Sequence, residues 1–194
     1  MSNLNLSFDL IRATTKDIHI LNCLWPFYVY DLTRYCGHLN DWVSPTDLSF
    51  KKYDLSPFFR SNFSPVYLIQ IKEEYAGFVI ITKISAMPEV DWYMQEFFII
   101  SKFQRHGLGE KVAMSIFKQL AGKWAVGVLL DNSPALAFWR KVIKEYTQDN
   151  YIEEIKTSAQ LRTKEYPDPY PMVMLQFTSG RASDSTPDKS RTQE

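Results

Sequence analysis

The chain has 194 residues, 45% of them hydrophobic, which is the size and composition of one domain with a sizeable core. Its 22 Lys and Arg residues balance its 22 Asp and Glu residues, which argues against a nucleic-acid-binding surface. It has no apolar run of roughly 18 residues, which argues against a membrane span, and its N-terminus lacks the basic start and apolar block of a secretory signal. Its two cysteines have no disulfide or metal-ligand spacing, so we expect a cytoplasmic protein without a metal.

Hydrophobic periodicity predicts a strand, a helix and then three consecutive strands in the first half of the chain. Alternating apolar residues over 8–13 favour a strand, and apolar residues at helical spacing over 18–35 favour a helix that is interrupted or kinked at Pro26. Residues 38–64 are irregular, with one short helix expected near 48–55, and such a long segment in a compact domain is often functional. The three strands follow at 66–72, 75–83 and 92–100, the first two as an antiparallel hairpin.

Helices and strands alternate in the second half. An apolar stripe over 108–121 favours a helix capped by Gly122, and the short apolar stretch 124–130 is typical of a buried parallel strand. Asn132 and Pro134 favour the start of another helix, since one caps the first turn and the other fits inside it. Two closing strands are predicted at 151–157 and 172–177.

This order of elements predicts an α+β domain over residues 8–178. An antiparallel meander comes first, and the crossover helix that follows it makes the strands at 92–100 and 124–130 parallel. Residues 179–194 contain no large apolar side chain, so we expect them to form a disordered tail.

Two glycines, Gly107 and Gly109, lie where the last strand of the meander gives way to a helix. Amides at a helix start lack intrahelical partners and carry the positive end of the dipole, and glycine lets a phosphate approach the backbone. The loop is either such a phosphate site or a turn that needs only glycine flexibility. It lacks the Gly-Lys-Ser/Thr of a nucleotide-triphosphate loop, and Val112 replaces the third glycine of a dinucleotide fingerprint.

Four features, in order along the chain, resemble the GCN5-related N-acetyltransferase (GNAT) superfamily. Residues 104–109, Gln-Arg-His-Gly-Leu-Gly, match its Q/R-x-x-G-x-G/A motif, and residues 96–99 look like the E-L-x-V strand that leads into it. Residues 132–139 resemble the N-x-x-A-x-x-F-Y helix start, and residues 11–17 are similar to the I-R-x-A-T-x-x-D opening. The resemblance covers residues 8–178 and implies a three-layer domain: a mixed, mostly antiparallel sheet of six to seven strands, splayed parallel strands at its centre and helices on both faces.

The resemblance also implies acetyl-coenzyme A as the co-substrate. In the loop, the residues expected to bind it, through the pyrophosphate, are Gln104, Arg105, His106, Gly107, Leu108, Gly109 and Glu110. Its pantetheine arm is expected to pair, in the gap between the splayed strands, with the backbone of Phe97, Phe98 and Ile99. Asn132 is expected to contact the cofactor from the end of the next strand, and its competing role is that of a helix cap.

Acetyl transfer to an amine needs a base for the ammonium proton and a donor for the thioester oxygen, for which a backbone N–H in the splayed strand would serve. Glu96 is the candidate base, and the competing interpretation places it on the opposite face, tied to a neighbouring side chain. Position 127, where other members carry a carboxylate, is Gly127. Trp139 stands where many members have an acidic Tyr, and an indole N–H cannot protonate a thiolate, so either Tyr146 or Tyr151 nearby substitutes as the acid or the thiolate leaves unassisted.

The resemblance implies that the acceptor enters between residues 35–42 and 162–170. Six side chains in or near these segments either attract and enclose an amine or are ordinary scattered charges and aromatics: Asp31, Tyr35, Asp41, Trp42, Glu165 and Tyr166. We therefore predict an N-acetyltransferase that uses acetyl-coenzyme A and a primary amine of a small molecule or protein, with no nucleic-acid or membrane partner. The alternative is an acyl-coenzyme-A-binding regulatory module with little turnover, and a homodimer stays open.

Overall fold

The computed structural model describes residues 7–37, 53–60, 64–157, 160 and 170–180. Seven strands of this part of the chain form one sheet: β1 (Asp9–Arg12), β2 (Val66–Ile71), β3 (Glu74–Thr82), β4 (Trp92–Ile99), β5 (Gly122–Leu129), β6 (Ile152–Thr157) and β7 (Pro171–Ser179). Its helices are α1 (Ile18–Cys36), α2 (Pro57–Arg60), α3 (Leu108–Gln119) and α4 (Ser133–Thr147). None of these helices is both long and apolar enough to cross a membrane.

The sheet has the strand order β1-β2-β3-β4-β5-β7-β6. Every neighbouring pair is antiparallel except β4 and β5, which are parallel and joined by α3. The predicted α+β class, the antiparallel meander and the single parallel crossover are therefore confirmed.

Apolar side chains cover both faces of the central strands. On β2, Tyr67 and Ile69 pack into the same core cluster as α3 and α4, whereas Val66 and Leu68 pack into the cluster that contains α1. Because successive strand residues point to opposite faces, α1 lies on one face of the sheet and α3 with α4 on the other. Burial on both faces explains why these strands are continuous apolar runs and show no polar alternation.

Helix α1 begins and ends where the sequence indicates. A short 3-10 helix (Thr15–Asp17) leads into α1, and Thr14 and Asp17 form its capping box: the Asp17 carboxylate accepts the Thr14 backbone N–H at 2.8 Å, and this bond lowers the pKa of Asp17. The helix continues through Pro26 to a C-cap at Gly37, so the apolar face on both sides of the proline belongs to one helix.

The predicted cap of α3 is wrong. The helix ends at Gln119 with Leu120 as its C-cap, and Gly122 is instead the first residue of β5. Gly122 has φ of 139°, and a Cβ there would lie 2.7 Å from a carboxylate oxygen of Asp91. Asp91 in turn accepts the Lys123 backbone N–H at 2.8 Å, so the glycine serves a close approach of two segments.

The folded region reaches further than predicted at its C-terminal end. Ser179 is the last residue of β7 and is buried, and its hydroxyl oxygen accepts the Trp124 indole N–H at 3.0 Å. It belongs to the sheet and not to the tail. Residues 181–194 and most of the short helix predicted near 48–55 lie outside the described residues.

Candidate active site

Strands β4 and β5 pair over only three residues and then separate. The pairs are Trp92–Trp124, Tyr93–Ala125 and Met94–Val126. Beyond them β4 continues along β3, and β5 continues along β7, so each strand keeps its outer neighbour while the central ladder ends. The two strands thus form the walls of a gap in the middle of the sheet, which is the predicted splay.

A β-bulge at Gln95 decides the direction of the Glu96 side chain. Glu96 pairs with Ile80 and Met94 pairs with Ile81, so Gln95 is an extra residue on β4. At the bulge, two residues of β4 lie opposite one residue step of β3. Side chains of β4 on the two sides of Gln95 therefore no longer alternate between the faces of the sheet in the regular way. Glu96 therefore shares the α1 face with Ile80, whereas regular alternation from Met94 would have turned it to the opposite face.

The Glu96 carboxylate is half-buried and bonded to α1. The Tyr28 hydroxyl donates to Oε2, and Gln95 Nε2 lies 3.5 Å from Oε1. Glu96 also lines the gap between the strands. The interpretation that its side chain is tied to a neighbour is correct, and it coexists with access to the gap; its role as a base stays a prediction.

Two cavities meet in this gap and form one cleft. The narrow cavity, of about 130 Å³, lies between residues 93–97 of β4 and residues 126–129 of β5. The wide cavity, of about 1080 Å³, extends from residues 97–99 to the glycine loop and the first turn of α3. Both are lined by a shared set of residues, which is Tyr28, Leu32, Phe97, Asn132, Ala135 and Trp139. The wide cavity has the size of a small-molecule or cofactor site.

The glycine loop has a curled backbone with two left-handed residues. Arg105 has φ of 62° and Gly107 has φ of 76°. The first bond of α3 runs from the Lys111 N–H to the Gly107 carbonyl at 3.2 Å, which leaves the amides of residues 108–110 without an intrahelical acceptor. These amides carry the positive end of the helix dipole, so this turn suits an anion.

The predicted loop residues do not all face the cleft with their side chains. Leu108 is buried in the core, so only its backbone amide is available to a ligand. The Gln104 side chain donates to the carbonyl of Ile99 at 2.7 Å and thereby ties the loop to the end of β4. The other predicted loop residues all line the wide cavity, these being Gln104, Arg105, His106, Gly107, Gly109 and Glu110, and so do Phe97, Phe98 and Ile99 of β4.

Positive side chains surround the loop, and two of them were missed from the sequence. Lys111 and Lys141 line the wide cavity together with Arg105. Lys141 Nζ lies 2.7 Å from an oxygen of Glu110, and this hydrogen bond lowers the pKa of Glu110 and raises the pKa of Lys141. The Glu110 charge at the anion site is therefore offset by a neighbour. In the sequence Lys141 lies between Arg140 and Lys144 on α4, and this run of basic residues does not by itself indicate a cleft.

Asn132 and Trp139 form the α4 side of the cleft. Asn132 caps the helix, with its side-chain oxygen accepting the Ala135 N–H at 3.2 Å, and it also lines both cavities. Trp139 is buried, and its ring packs edge-on against Phe97 with centroids 5.0 Å apart. The capping role of Asn132 is confirmed, and contact with a cofactor stays a prediction.

The two tyrosines suggested as substitute acids lie elsewhere. Tyr146 packs against Phe117 and Phe177 in the core, and burial raises the pKa of its hydroxyl. Tyr151 packs against the same core cluster. Neither lines the cleft in the described part of the chain, so neither is placed to protonate a thiolate there.

A tyrosine hydroxyl occupies the space beside Gly127. A Cβ at this position would lie 2.4 Å from Tyr93 Oη and 3.1 Å from Met172 Cε. A carboxylate side chain therefore cannot be accommodated at position 127 while Tyr93 holds its position. Tyr93, which lines the narrow cavity, was missed in the sequence because its neighbours suggested only a buried strand.

Part of the predicted acceptor region can be located. Asp31 and Tyr35 line the wide cavity on α1, and Arg34 lies between them in sequence and lines it as well. The other four candidates, Asp41, Trp42, Glu165 and Tyr166, lie outside the described residues. Within the described ranges, no group of three or more His, Cys, Asp or Glu side chains is placed to hold a metal ion.

Comparison with known proteins gives a family match and a set of similar folds. Residues 22–143 match the model of the acetyltransferase (GNAT) family. None of the curated proteins matches the chain in sequence.

Solved structures of acetyltransferases share this fold at low sequence identity. An acetyltransferase from Thermus thermophilus is 18% identical with a TM-score of 0.59, and the match covers 89% of this chain and 97% of that one. The ribosomal-protein-S18-alanine N-acetyltransferase from Escherichia coli is 11% identical with a TM-score of 0.58, covering 92% and 98%. The ribosomal L7/L12 alpha-N-protein acetyltransferase RimL, in complex with coenzyme A, is 15% identical with a TM-score of 0.56, covering 93% and 98%. At these identities the likeness extends to the fold alone.

Proposed function

This chain belongs to the acetyltransferase (GNAT) family, and on that basis we propose that it is a cytoplasmic enzyme that moves the acetyl group of acetyl-coenzyme A to a primary amine of a small-molecule or protein acceptor. The observation that carries the proposal is the gap that opens after the Met94–Val126 pair. Glu96 lines the narrow part of this gap, and the glycine loop lies at its wide end.

In this proposal the cofactor lies along the cleft. The pyrophosphate binds the amides of the glycine loop and the first turn of α3, where Arg105, Lys111 and Lys141 supply positive charge. The pantetheine amides pair with the backbone of residues 97–99, which have no β5 partner after the ladder ends. The thioester then lies towards the narrow cavity, and Asn132 contacts the cofactor from the α4 side.

The acetyl transfer itself is assigned to groups on β4. Glu96 removes a proton from the acceptor ammonium, because only the neutral amine is a nucleophile. The amine attacks the thioester carbonyl, and a backbone N–H of β4 beyond the bulge stabilises the negative charge on the oxygen. The carbon–sulfur bond then breaks and coenzyme A leaves.

One observation favours a second candidate function. Trp139 lines both cavities at the position where the family resemblance leads us to expect an acidic tyrosine. An indole N–H donates hydrogen bonds but does not protonate a thiolate. The alternative is therefore an acyl-coenzyme-A-binding regulatory module with little turnover.

An acceptor screen separates the two functions. Purified protein is incubated with acetyl-coenzyme A and a panel of polyamines, amino acids and peptides with free N-termini, and release of free coenzyme A is followed with a thiol reagent. If the protein is an acetyltransferase, free coenzyme A should be released with at least one amine of the panel. Tight binding of acetyl-coenzyme A without release across the panel would establish the regulatory module.

The base is tested with Glu96→Gln and with Glu89→Gln as the control, since Glu89 is exposed and lines neither cavity of the cleft. Loss of a general base lowers kcat by roughly 100-fold or more at neutral pH. The loss should shrink as the pH rises above the pKa of the acceptor amine, about 8 for an α-amine and about 10.4 for a lysine-like amine, because the amine is then already neutral. A pH profile identical to that of the wild type would remove Glu96 from this role.

A further inference from the structure

We infer that Tyr28 of α1 is the proton donor for the leaving coenzyme A thiolate and that it works with Glu96 as one proton-handling pair. The inference rests on the proposed acetyl transfer. Tyr28 would supply the general acid that Trp139 cannot be. It would do so from α1, on the opposite face of the sheet from α4.

The structure joins Tyr28 to the candidate base directly. Its hydroxyl donates a hydrogen bond to Glu96 Oε2. The two residues are 68 positions apart in sequence, so this contact exists only because α1 packs across β4. A carboxylate that accepts a hydrogen bond from a phenol hydroxyl is held in one orientation. The same hydrogen bond is a path along which a proton can pass from Glu96 back to Tyr28.

The ring of Tyr28 is held in place by aromatic neighbours. Its centroid lies 5.3 Å from that of Trp25, 5.7 Å from that of Phe78 and 5.8 Å from that of Phe98. These contacts come from α1, β3 and β4, so the hydroxyl is positioned by three elements. A Phe at position 28 would keep all of them, because it differs only by the oxygen.

Tyr28 also lines the cleft in which the proposed function places the thioester. It lines both the narrow cavity, which contains Glu96, and the wide cavity, which extends to the glycine loop. Trp139 lines the same two cavities from the α4 side. The gap between β4 and β5 is thus flanked by a proton donor from α1 and an indole from α4.

The proton transfers balance as follows. Glu96 takes one proton from the acceptor ammonium, and the neutral amine forms the new carbon–nitrogen bond. As the carbon–sulfur bond breaks, its electron pair goes to sulfur, and the Tyr28 hydroxyl gives its proton to that sulfur. The proton held by Glu96 then restores the Tyr28 hydroxyl, and the second proton of the amine leaves to water. The products are the acetylated amine, the free thiol of coenzyme A and one released proton.

The test compares Tyr28→Phe, Glu96→Gln and the double variant, with an amine that the acceptor screen identifies. Tyr30→Phe is the control, because Tyr30 is exposed on the same helix. We expect Tyr28→Phe to lower kcat by roughly 100-fold while KM for acetyl-coenzyme A changes by less than about twofold. Residues that act as one unit give non-additive losses, so the double variant should be no more than about twofold slower than Glu96→Gln.

Several results would overturn the inference. An unchanged kcat in Tyr28→Phe would leave Tyr28 with a purely structural role, and losses that multiply in the double variant would show that Tyr28 and Glu96 do not act as a pair. The same loss in Tyr93→Phe but not in Tyr28→Phe would assign the acid to Tyr93, the other tyrosine of the narrow cavity. If the wild-type protein acetylates no amine, the proposed function fails first and this inference fails with it.

A second variant covers the case in which Tyr28→Phe does not fold. Glu96→Asp keeps the carboxylate but withdraws it by one methylene group from the Tyr28 hydroxyl. We expect a loss in kcat of roughly 10-fold or more with KM for acetyl-coenzyme A unchanged. A wild-type kcat in Glu96→Asp would overturn the pair.

Discussion

Replacing Gly107 with Glu tests whether the glycine loop binds the phosphates of coenzyme A. Gly107 lies in the left-handed region with φ of 76°, and no heavy atom lies within 4 Å of the position that a Cβ would take. A side chain there meets no steric obstacle in the described protein. It would point into open space beside the wide cavity, which Gly107 lines.

The expected effect has two parts, a backbone strain and a charge. Any residue with a Cβ in this conformation costs about 1–2 kcal/mol, which lowers Tm by roughly 2–8 °C in a chain of this size. Two like unit charges about 4 Å apart repel by about 1 kcal/mol in water and about 4 kcal/mol at an effective dielectric constant of 20. The added carboxylate should therefore weaken coenzyme A binding by roughly 5-fold to 1000-fold.

Gly107→Gln is the matched variant, because it carries the same strain and nearly the same volume without the charge. The affinity for coenzyme A is measured by titration calorimetry for both variants at low salt and at about 1 M salt, where the Debye length falls to about 3 Å. Glu should bind more weakly than Gln at low salt, and the difference should shrink at high salt. Equal affinities for Glu and Gln at low salt would refute the phosphate assignment.

Three further predictions concern stability. Gly77→Ala should lower the free energy of unfolding by about 3 kcal/mol, since its Cβ would lie 1.9 Å from the Phe98 carbonyl oxygen. Gly180→Ala is the control and should change it little, because no atom lies within 4 Å of the Cβ position there. Equal melting curves for the two variants would contradict the close approach of β3 and β4 at Gly77. Ser179→Ala should cost about 1 kcal/mol through the lost bonds to Trp124 and Leu120, measured by urea unfolding against Ser115→Ala on the α3 surface. Lys141→Met should cost less than about 1 kcal/mol, because Lys141 is largely exposed. The hydrogen bond between Lys141 and Glu110 lowers the pKa of Glu110 and raises that of Lys141, so its contribution to stability should be present between about pH 5 and pH 10. The contribution should be lost as the pH falls through the lowered Glu110 pKa and again as it rises through the raised Lys141 pKa. A difference in unfolding free energy between variant and wild type that persists at pH 2 would contradict the assignment.

Much of the fold follows from local sequence. Helices α1, α3 and α4 were predicted to within a few residues because apolar side chains recur at helical spacing and because caps such as Asn132 satisfy the first amides locally, whereas α2 lies outside the short helix expected near 48–55 and was not predicted. The glycine loop was predicted for the same reason, since a strand, two glycines and an amphipathic helix are adjacent along the chain. The end of α3 was predicted wrongly because Gly122 is needed for the close approach of Asp91, which comes 31 residues earlier in the sequence.

Family resemblance extended the prediction to the site but not to its partners. Glu96, Asn132 and the loop residues were singled out by motif, and the structure places them around one cleft. Lys111 and Lys141 were missed because a surface lysine has no sequence signature for the cavity that it faces. Tyr146 and Tyr151 were suggested by proximity in sequence to Trp139, but helix and strand geometry carries them away from the cleft.

The sequence by itself determined the element order, the crossover and the glycine turn, because these depend on periodicity and on residues a few positions apart. Only the tertiary structure decided which side of the sheet Glu96 faces, since one extra residue at Gln95 reverses the alternation and a bulge leaves no mark in the hydrophobic pattern. It also decided that Tyr28 meets Glu96. That contact depends on the packing of α1 across β4, and packing of distant segments is set by the whole core, whose faces become defined only when the strands have paired.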